Sequence, residues 1–157
     1  MAKQLPIEIF MPPNMLKAKV GGSGAGLDVA AIKRAEAAME TLKVEFEGWM
    51  NSDVEKLGGA RDAYAAAPNT DEHAGLYRAS HDIKGQAVTF EHPIVARIAA
   101  SLCKLLDGNK SVPLLLVDAH VNAIRVLVKK NVKDAADKTT NAVALELEER
   151  VTEVLAA

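Results

Sequence analysis

The chain has 157 residues, enough for one domain with a sizeable core, and its 4% aromatic content beside abundant alanine, leucine, valine, glutamate and lysine favours helices over sheet. Its 19 Lys and Arg against 21 Asp and Glu leave a net charge of -2, which excludes the gross basic field of a nucleic-acid binder. A single cysteine, Cys103, excludes a disulfide-stapled fold, and the longest purely aliphatic run, Leu114 to Val117, is far too short to span a bilayer. No signal-like apolar region follows Met1-Ala2-Lys3-Gln4, so the expectation is a cytoplasmic protein without membrane contact.

Residues 1–26 differ from the rest. Pro6, Pro12 and Pro13 forbid a regular helix, and the run Gly21 to Gly26 reads as a hinge. Ile7, Ile9, Phe10, Met11, Met15 and Leu16 are too apolar for a free linker, which predicts an extended arm along the domain or a partner-binding tail. The glycine run lacks the Gly-Lys-Ser/Thr ending and the preceding strand of a phosphate loop.

A first helix is predicted from Asp28, as N-cap, to about Gly48. Ile32, Ala35, Met39, Leu42, Phe46 and Trp49 recur at three and four residues as its core stripe. A second is predicted from Ser52, where Ser52-Asp53-Val54-Glu55 fits a capping box. Val54, Leu57, Ala60 or Arg61, and Tyr64 continue the stripe until Pro68 and Asn69 stop it. Gly58-Gly59 would bend this helix.

The third helix, capped by Asn69 or Thr70, carries Ser80-His81-Asp82-Ile83-Lys84-Gly85-Gln86-Ala87-Val88-Thr89-Phe90. At about 100° per residue, Leu76, Ala79, Ile83, Ala87 and Phe90 fall opposite His81 as an apolar stripe that should face a core. Arg78, Lys84, Gly85 and Val88 fall on the histidine's side. An exposed imidazole is a competent nucleophile near neutral pH. Lys84 and Arg78, one turn either way, can place a cation beside an anion carried on it. Gly85 costs roughly 1 kcal/mol in a helix and makes sense where another macromolecule must approach closely. The set suggests a phosphorylatable histidine presented to a protein partner.

The pattern His81-x-Ile83-Lys84-Gly85-x-Ala87, with Phe90 following, resembles the histidine-containing phosphotransfer (HPt) family. The wider run from Asp82 to Leu106 looks most like stand-alone HPt proteins of alphaproteobacteria. The resemblance implies an antiparallel four-helix bundle that relays phosphoryl groups between receiver-domain aspartates of response regulators or hybrid histidine kinases. It implies His81 as phosphoacceptor, Lys84 steadying the phosphoryl group and Gly85 leaving room for the receiver. Val88, Arg78 and Tyr77 would complete the docking patch. Any Mg²⁺ belongs to the receiver's acidic pocket, so no cofactor is expected on this chain. Glu91 departs from the family, where many members carry glycine at the end of this helix.

His92 precedes Pro93, which is placed to open a fourth helix carrying Ile94, Ile98, Leu102, Leu105 and Leu106 and stopping at Asp107-Gly108. The short link predicts an antiparallel hairpin with the histidine helix. Arg97 and Ser101 are candidates to support His81 or its phosphoryl group, and Cys103 reads as a core thiol. A fifth helix, opening at Ser111 and Pro113, is predicted to carry Leu115 or Leu116, Ala119, Asn122 or Ala123, Val126 and Lys130 along one stripe. A sixth, from about Thr140 to Leu155, is predicted to bury Val143, Leu147, Val151 and Val154. Arg125, Lys129, Lys130 and Lys133 form a basic patch at the end of the fifth helix, read as a solvated helix terminus.

Other chemistry is disfavoured. His73 and His81 lie on different flanks of one helix, and His92 and His120 are remote in sequence, so spacing supports no metal site. The ATP-binding glycine boxes of a histidine kinase are absent, which makes the expected role a phosphoryl carrier and not an autonomous kinase. Asp118 lacks the strand-helix alternation of a receiver aspartate and reads as a surface carboxylate. The expectation is therefore a monomeric all-α protein: an arm over 1–26 and an HPt-like bundle over 27–157, with extra helical or extended N-terminal material. The alternative is a helical adaptor that binds a receiver through the same face without carrying phosphate.

Overall fold

The computed structural model describes residues 29–108 and 112–157, which form helices and no strand. The helices are α1 (Val29–Ala66), α2 (Thr70–Thr89), α3 (Pro93–Gly108), α4 (Leu114–Lys129) and α5 (Lys138–Ala156). The predicted arm over 1–26, the Asp28 cap and Ser111 lie outside the described residues. The chain divides into two units, 1–40 and 41–157. Of the first, residues 29–40 are helical and exposed.

The predicted break between Gly48 and Ser52 does not exist: α1 is one helix of 38 residues. Met50, Val54, Leu57 and Tyr64 are all buried and share one face across the expected boundary. Burying such side chains is worth roughly 1.5–3 kcal/mol each, against about 1 kcal/mol for a cap at Ser52, so the uninterrupted register wins. Asp53 is instead buried on the helix and bonded to Lys56 Nζ at 2.7 Å. The predicted stripe fails further upstream. Ile32, Ala35, Met39, Leu42 and Trp49 are exposed, and among the described side chains of α1 the first buried one is Met50. Phe46 is half-buried and stacks on Phe90 of α2, ring centroids 4.8 Å apart. A Cβ on Gly58 would meet Nη2 of Arg125 from α4 at 2.7 Å, the far end of a side chain that can shift aside.

Asn69 starts α2. Its Oδ1 accepts from the backbone N–H groups of Asp71 and Glu72, each at 2.9 Å, satisfying two orphan donors of the first turn. Leu76, Ile83 and Ala87 are fully buried, while Ala79 and Phe90 are half-buried against the same core. The helix closes in a Schellman motif. Glu91 N–H donates to Val88 O at 3.3 Å and His92 N–H to Ala87 O at 2.8 Å. Glu91 sits at φ 62°, the left-handed conformation that glycine adopts freely and that costs another residue roughly 1–2 kcal/mol. The helix thus ends where a glycine would end it, without the glycine.

Pro93 opens α3 as predicted, and Ile94, Ile98, Leu102, Leu105 and Leu106 are buried. This helix packs against α2, α4 and α5, and α4 also packs against α5. The buried face of α4 is rotated from the predicted one. Val117, His120, Val121, Ile124, Leu127 and Val128 are inside; of the predicted positions Leu116 and Ala123 are half-buried against the core, whereas Leu115, Ala119, Asn122, Val126 and Lys130 are exposed. The apolar residues at 117, 121, 124 and 128 make the stronger stripe, and it carries His120 inward. Helix α4 ends in a second Schellman motif, with Asn131 at φ 49° and Val132 N–H on Leu127 O at 3.0 Å.

Asp137 caps α5, its Oδ1 accepting from Thr140 N–H at 2.7 Å, so the helix starts before the predicted Thr140. That bond holds the Asp137 carboxyl below its usual range. Ala144, Leu147 and Val151 are buried, Val154 is half-buried and Val143 is exposed. Asp118 is not a bare surface carboxylate. Arg61 of α1 grips it with two bonds, Nε to Oδ1 at 2.5 Å and Nη2 to Oδ2 at 2.8 Å. The fork holds the Asp118 carboxyl below its usual range and strengthens the guanidinium's hold on its proton.

Candidate functional site

The rotation that buries Leu76, Ile83 and Ala87 of α2 turns His81 outward, where it is exposed and its ring makes no hydrogen bond among the described residues. Ser80, its neighbour, points inward and donates to Leu76 O at 2.8 Å. Tyr77, one turn back and half-buried, holds its ring near-parallel to the imidazole, centroids 6.2 Å apart and planes 26° apart. Both imidazole nitrogens are left open to an incoming group.

The rest of the predicted set is on this face. Arg78 and Gly85 are exposed, and Val88 is 69% exposed, a large apolar side chain left in water. Lys84 is half-buried, and its charge is felt by Cys103 of α3. Burial nonetheless dominates at Cys103 and pushes the thiol above its ordinary value. A Cβ on Gly85 would meet nothing within 4 Å, so no internal packing requires a glycine there. The same holds for Gly48, Gly59 and Gly75.

Two shallow grooves flank the face. One is lined by His81, Asp82, Gly85, Gln86, Thr89 and Phe90. The other lies beyond Val88 and is lined by Val88, Glu91, Pro93, Ala96 and Lys133.

Arg97 and Ser101, the predicted supports of His81, are committed elsewhere. Arg97 forks onto Glu148 of α5, with bonds of 2.8 and 2.7 Å, and also donates to Asn141 at 2.9 Å. Ser101 Oγ is 3.1 Å from Nε2 of fully buried His120. The other nitrogen of His120 donates to Leu116 O at 2.7 Å, because a carbonyl only accepts. Nε2 of the neutral ring then accepts the Ser101 hydroxyl proton. Burial lowers the His120 pKa and the Leu116 bond partly opposes it.

His92 is likewise buried, and its Nδ1 donates to Val132 O at 3.0 Å. Sequence reasoning missed both histidines as structural joints. For His120 the signal was present, since Val117, His120, Val121 and Ile124 share one helical face. Among the described residues no group of three or more His, Cys, Asp or Glu side chains is placed to hold a metal ion, and no helix is long and apolar enough to cross a membrane. In comparisons with protein-family models, curated proteins and solved structures, nothing matches the chain.

Proposed function

We infer that the chain is a histidine phosphotransfer protein, a phosphoryl carrier between receiver-domain aspartates of response regulators or hybrid kinases. In this reading residues 41–157 act as an antiparallel four-helix bundle with added N-terminal helical material. The observation that carries it is a solvent-open His81, its ring free of intrachain hydrogen bonds, set opposite the buried Leu76, Ile83 and Ala87 and beside a glycine with no internal packing role.

A ring nitrogen of His81 attacks the phosphorus of a receiver's aspartyl phosphate. The P–N bond forms as the P–O bond to the aspartate breaks, and the electron pair leaves with the carboxylate. The proton on the second ring nitrogen passes to solvent and is regained when the next aspartate takes the phosphoryl group. The chain's share is placement and charge. Tyr77 orients the ring, and Lys84 and Arg78 supply positive charge to the phosphoryl oxygens. Gly85 and Val88 admit and contact the receiver, whose acidic pocket holds the Mg²⁺.

The exposure of Val88 and Gly85 serves docking whether or not phosphate is carried, which keeps an adaptor as the second reading. The two separate on one comparison. Wild type and His81→Gln are each mixed with radiolabelled phospho-receiver domains, and both label transfer and binding are recorded. Label on wild type alone, with binding retained by both, supports the relay. Binding by both without label on either supports the adaptor.

A further inference from the structure

We propose that Glu91 and Lys133 select the receiver partner by charge, on either side of the groove formed by Val88, Pro93 and Ala96. The inference rests on the relay reading and specifies its partner. The occupant is a receiver domain that sets an apolar side chain into the groove, with a basic residue beside Glu91 and an acidic one beside Lys133.

Three observations support this. The groove is continuous with the histidine face, because Val88 belongs to both. Its floor and walls are apolar, whereas Glu91 and Lys133 are exposed and neither has an ion-pair partner among the described residues. Two opposite, unpaired charges about an apolar slot complement a partner of reversed polarity and repel one of the same polarity.

The second observation is backbone strain. Glu91 holds φ 62° where glycine would rest without cost. The Schellman bonds from Glu91 and His92 show that the helix terminus needs that conformation but not that side chain. A strained residue persisting beside a proposed site points to a use for its carboxylate. Asn131, at the equivalent position ending α4, is a residue type that tolerates the left-handed region.

The third is the placement of Lys133. It follows Val132, whose carbonyl accepts from Nδ1 of buried His92 at 3.0 Å. Both residues directly follow the left-handed residue of a Schellman motif. The bond therefore ties the end of α4 to the end of α2, and with it Lys133 to the groove. Lys129 and Lys130 share the same basic end but do not line the groove.

The test is the second-order rate of phosphoryl transfer from a receiver that labels the wild-type chain. It is measured for wild type, Glu91→Lys, Lys133→Glu and the control Lys129→Glu, at low and high salt. Each groove reversal is expected to slow transfer on the order of tenfold at low salt, with a smaller loss at high salt. The rate at saturating receiver and the rate of the control should stay within about twofold of wild type.

Glu91→Gly guards against misfolding, since it removes the charge while relieving the backbone. It should raise the Tm by about 2–4 °C and still slow transfer. Groove reversals that leave the rate unchanged, or an equal loss in Lys129→Glu, overturn the inference while the relay stands. A wild-type chain that takes no label from any receiver overturns both.

Discussion

Tyr77 and His81 stand one helical turn apart on α2 with ring centroids 6.2 Å apart and planes inclined by 26°. The phenol is half-buried and packs on the core, so it is the fixed member of the pair and limits where the exposed imidazole can swing. Loss of that limit costs alignment and not chemistry. Tyr77→Phe keeps the ring and should transfer phosphoryl groups within about twofold of wild type. Tyr77→Ala should be slower by about three- to tenfold while His81 remains the labelled residue. Single-turnover kinetics decide it, and equal rates for both variants would remove Tyr77 from the site.

Lys84 and Gly85 separate charge from access. Lys84→Ala should shorten the phosphohistidine lifetime or slow transfer, with stability changed by no more than about 0.5 kcal/mol. Gly85→Gln should do the reverse of a damaging mutation to the fold. Open space surrounds the position, so the side chain fits and the helix gains roughly 0.5–1 kcal/mol, yet receiver binding is blocked. Denaturant titration beside a binding isotherm reads both quantities. Undiminished binding would show that the partner approaches elsewhere.

The two predicted helix starts, Ser52 and Asn69, give a direct check of the fold. Asn69 accepts two backbone N–H groups, so Asn69→Ala should cost about 1 kcal/mol. Ser52 lies inside α1, so Ser52→Ala should be neutral or slightly stabilising, as alanine is the better helix former. A loss at Ser52 equal to that at Asn69 would restore the break between two helices.

The pair also shows where the chain was legible. The α2 stripe, its exposed histidine, a cap at Asn69 or Thr70, the Pro93 start and the buried positions of α3 could all be read from spacing, because each local signal agrees with the packing. At Ser52 the local signal and the packing disagree, and burial of Met50, Val54 and Leu57 outweighs one cap. On α4 several faces are apolar, from Leu114 to Val128. Periodicity alone left Leu115 and Leu116 as alternatives and chose Val126, yet Leu115 and Val126 are 85% and 49% exposed. The exposure of Arg78, His81, Gly85 and Val88 on one helix was recoverable for the same reason as the stripe. The bonds joining Arg61 to Asp118, Arg97 to Glu148, Ser101 to His120 and His92 to Val132 span 19 to 57 residues and carry no local pattern.

His120 gives the fold a pH dependence with a definite sign. Its pKa is lowered in the folded chain by burial, from an ordinary value of 6.5. Below that value the unfolded chain binds a proton that the native chain refuses. Its contribution is therefore present in full above pH 6.5 and is lost as pH falls toward the folded pKa, by at most about 1.4 kcal/mol per unit. Urea unfolding of wild type and His120→Gln between pH 7.5 and 5 should give the wild type the steeper loss. Parallel curves would mean that His120 protonates as readily in the folded chain as in the unfolded one. Ser101→Ala, which removes the hydroxyl proton from Nε2, should cost about 1 kcal/mol at neutral pH.

The most direct test of the account is the chemical nature of the bond made by a transferred phosphoryl group. The chain is incubated with radiolabelled phospho-receiver domains, and the recovered label is challenged with acid and with alkali, wild type beside His81→Gln. The account requires label on wild type only, lost in acid and retained in alkali, as a phosphoramidate on His81 would be. Label that survives acid, or that remains on His81→Gln, would contradict it.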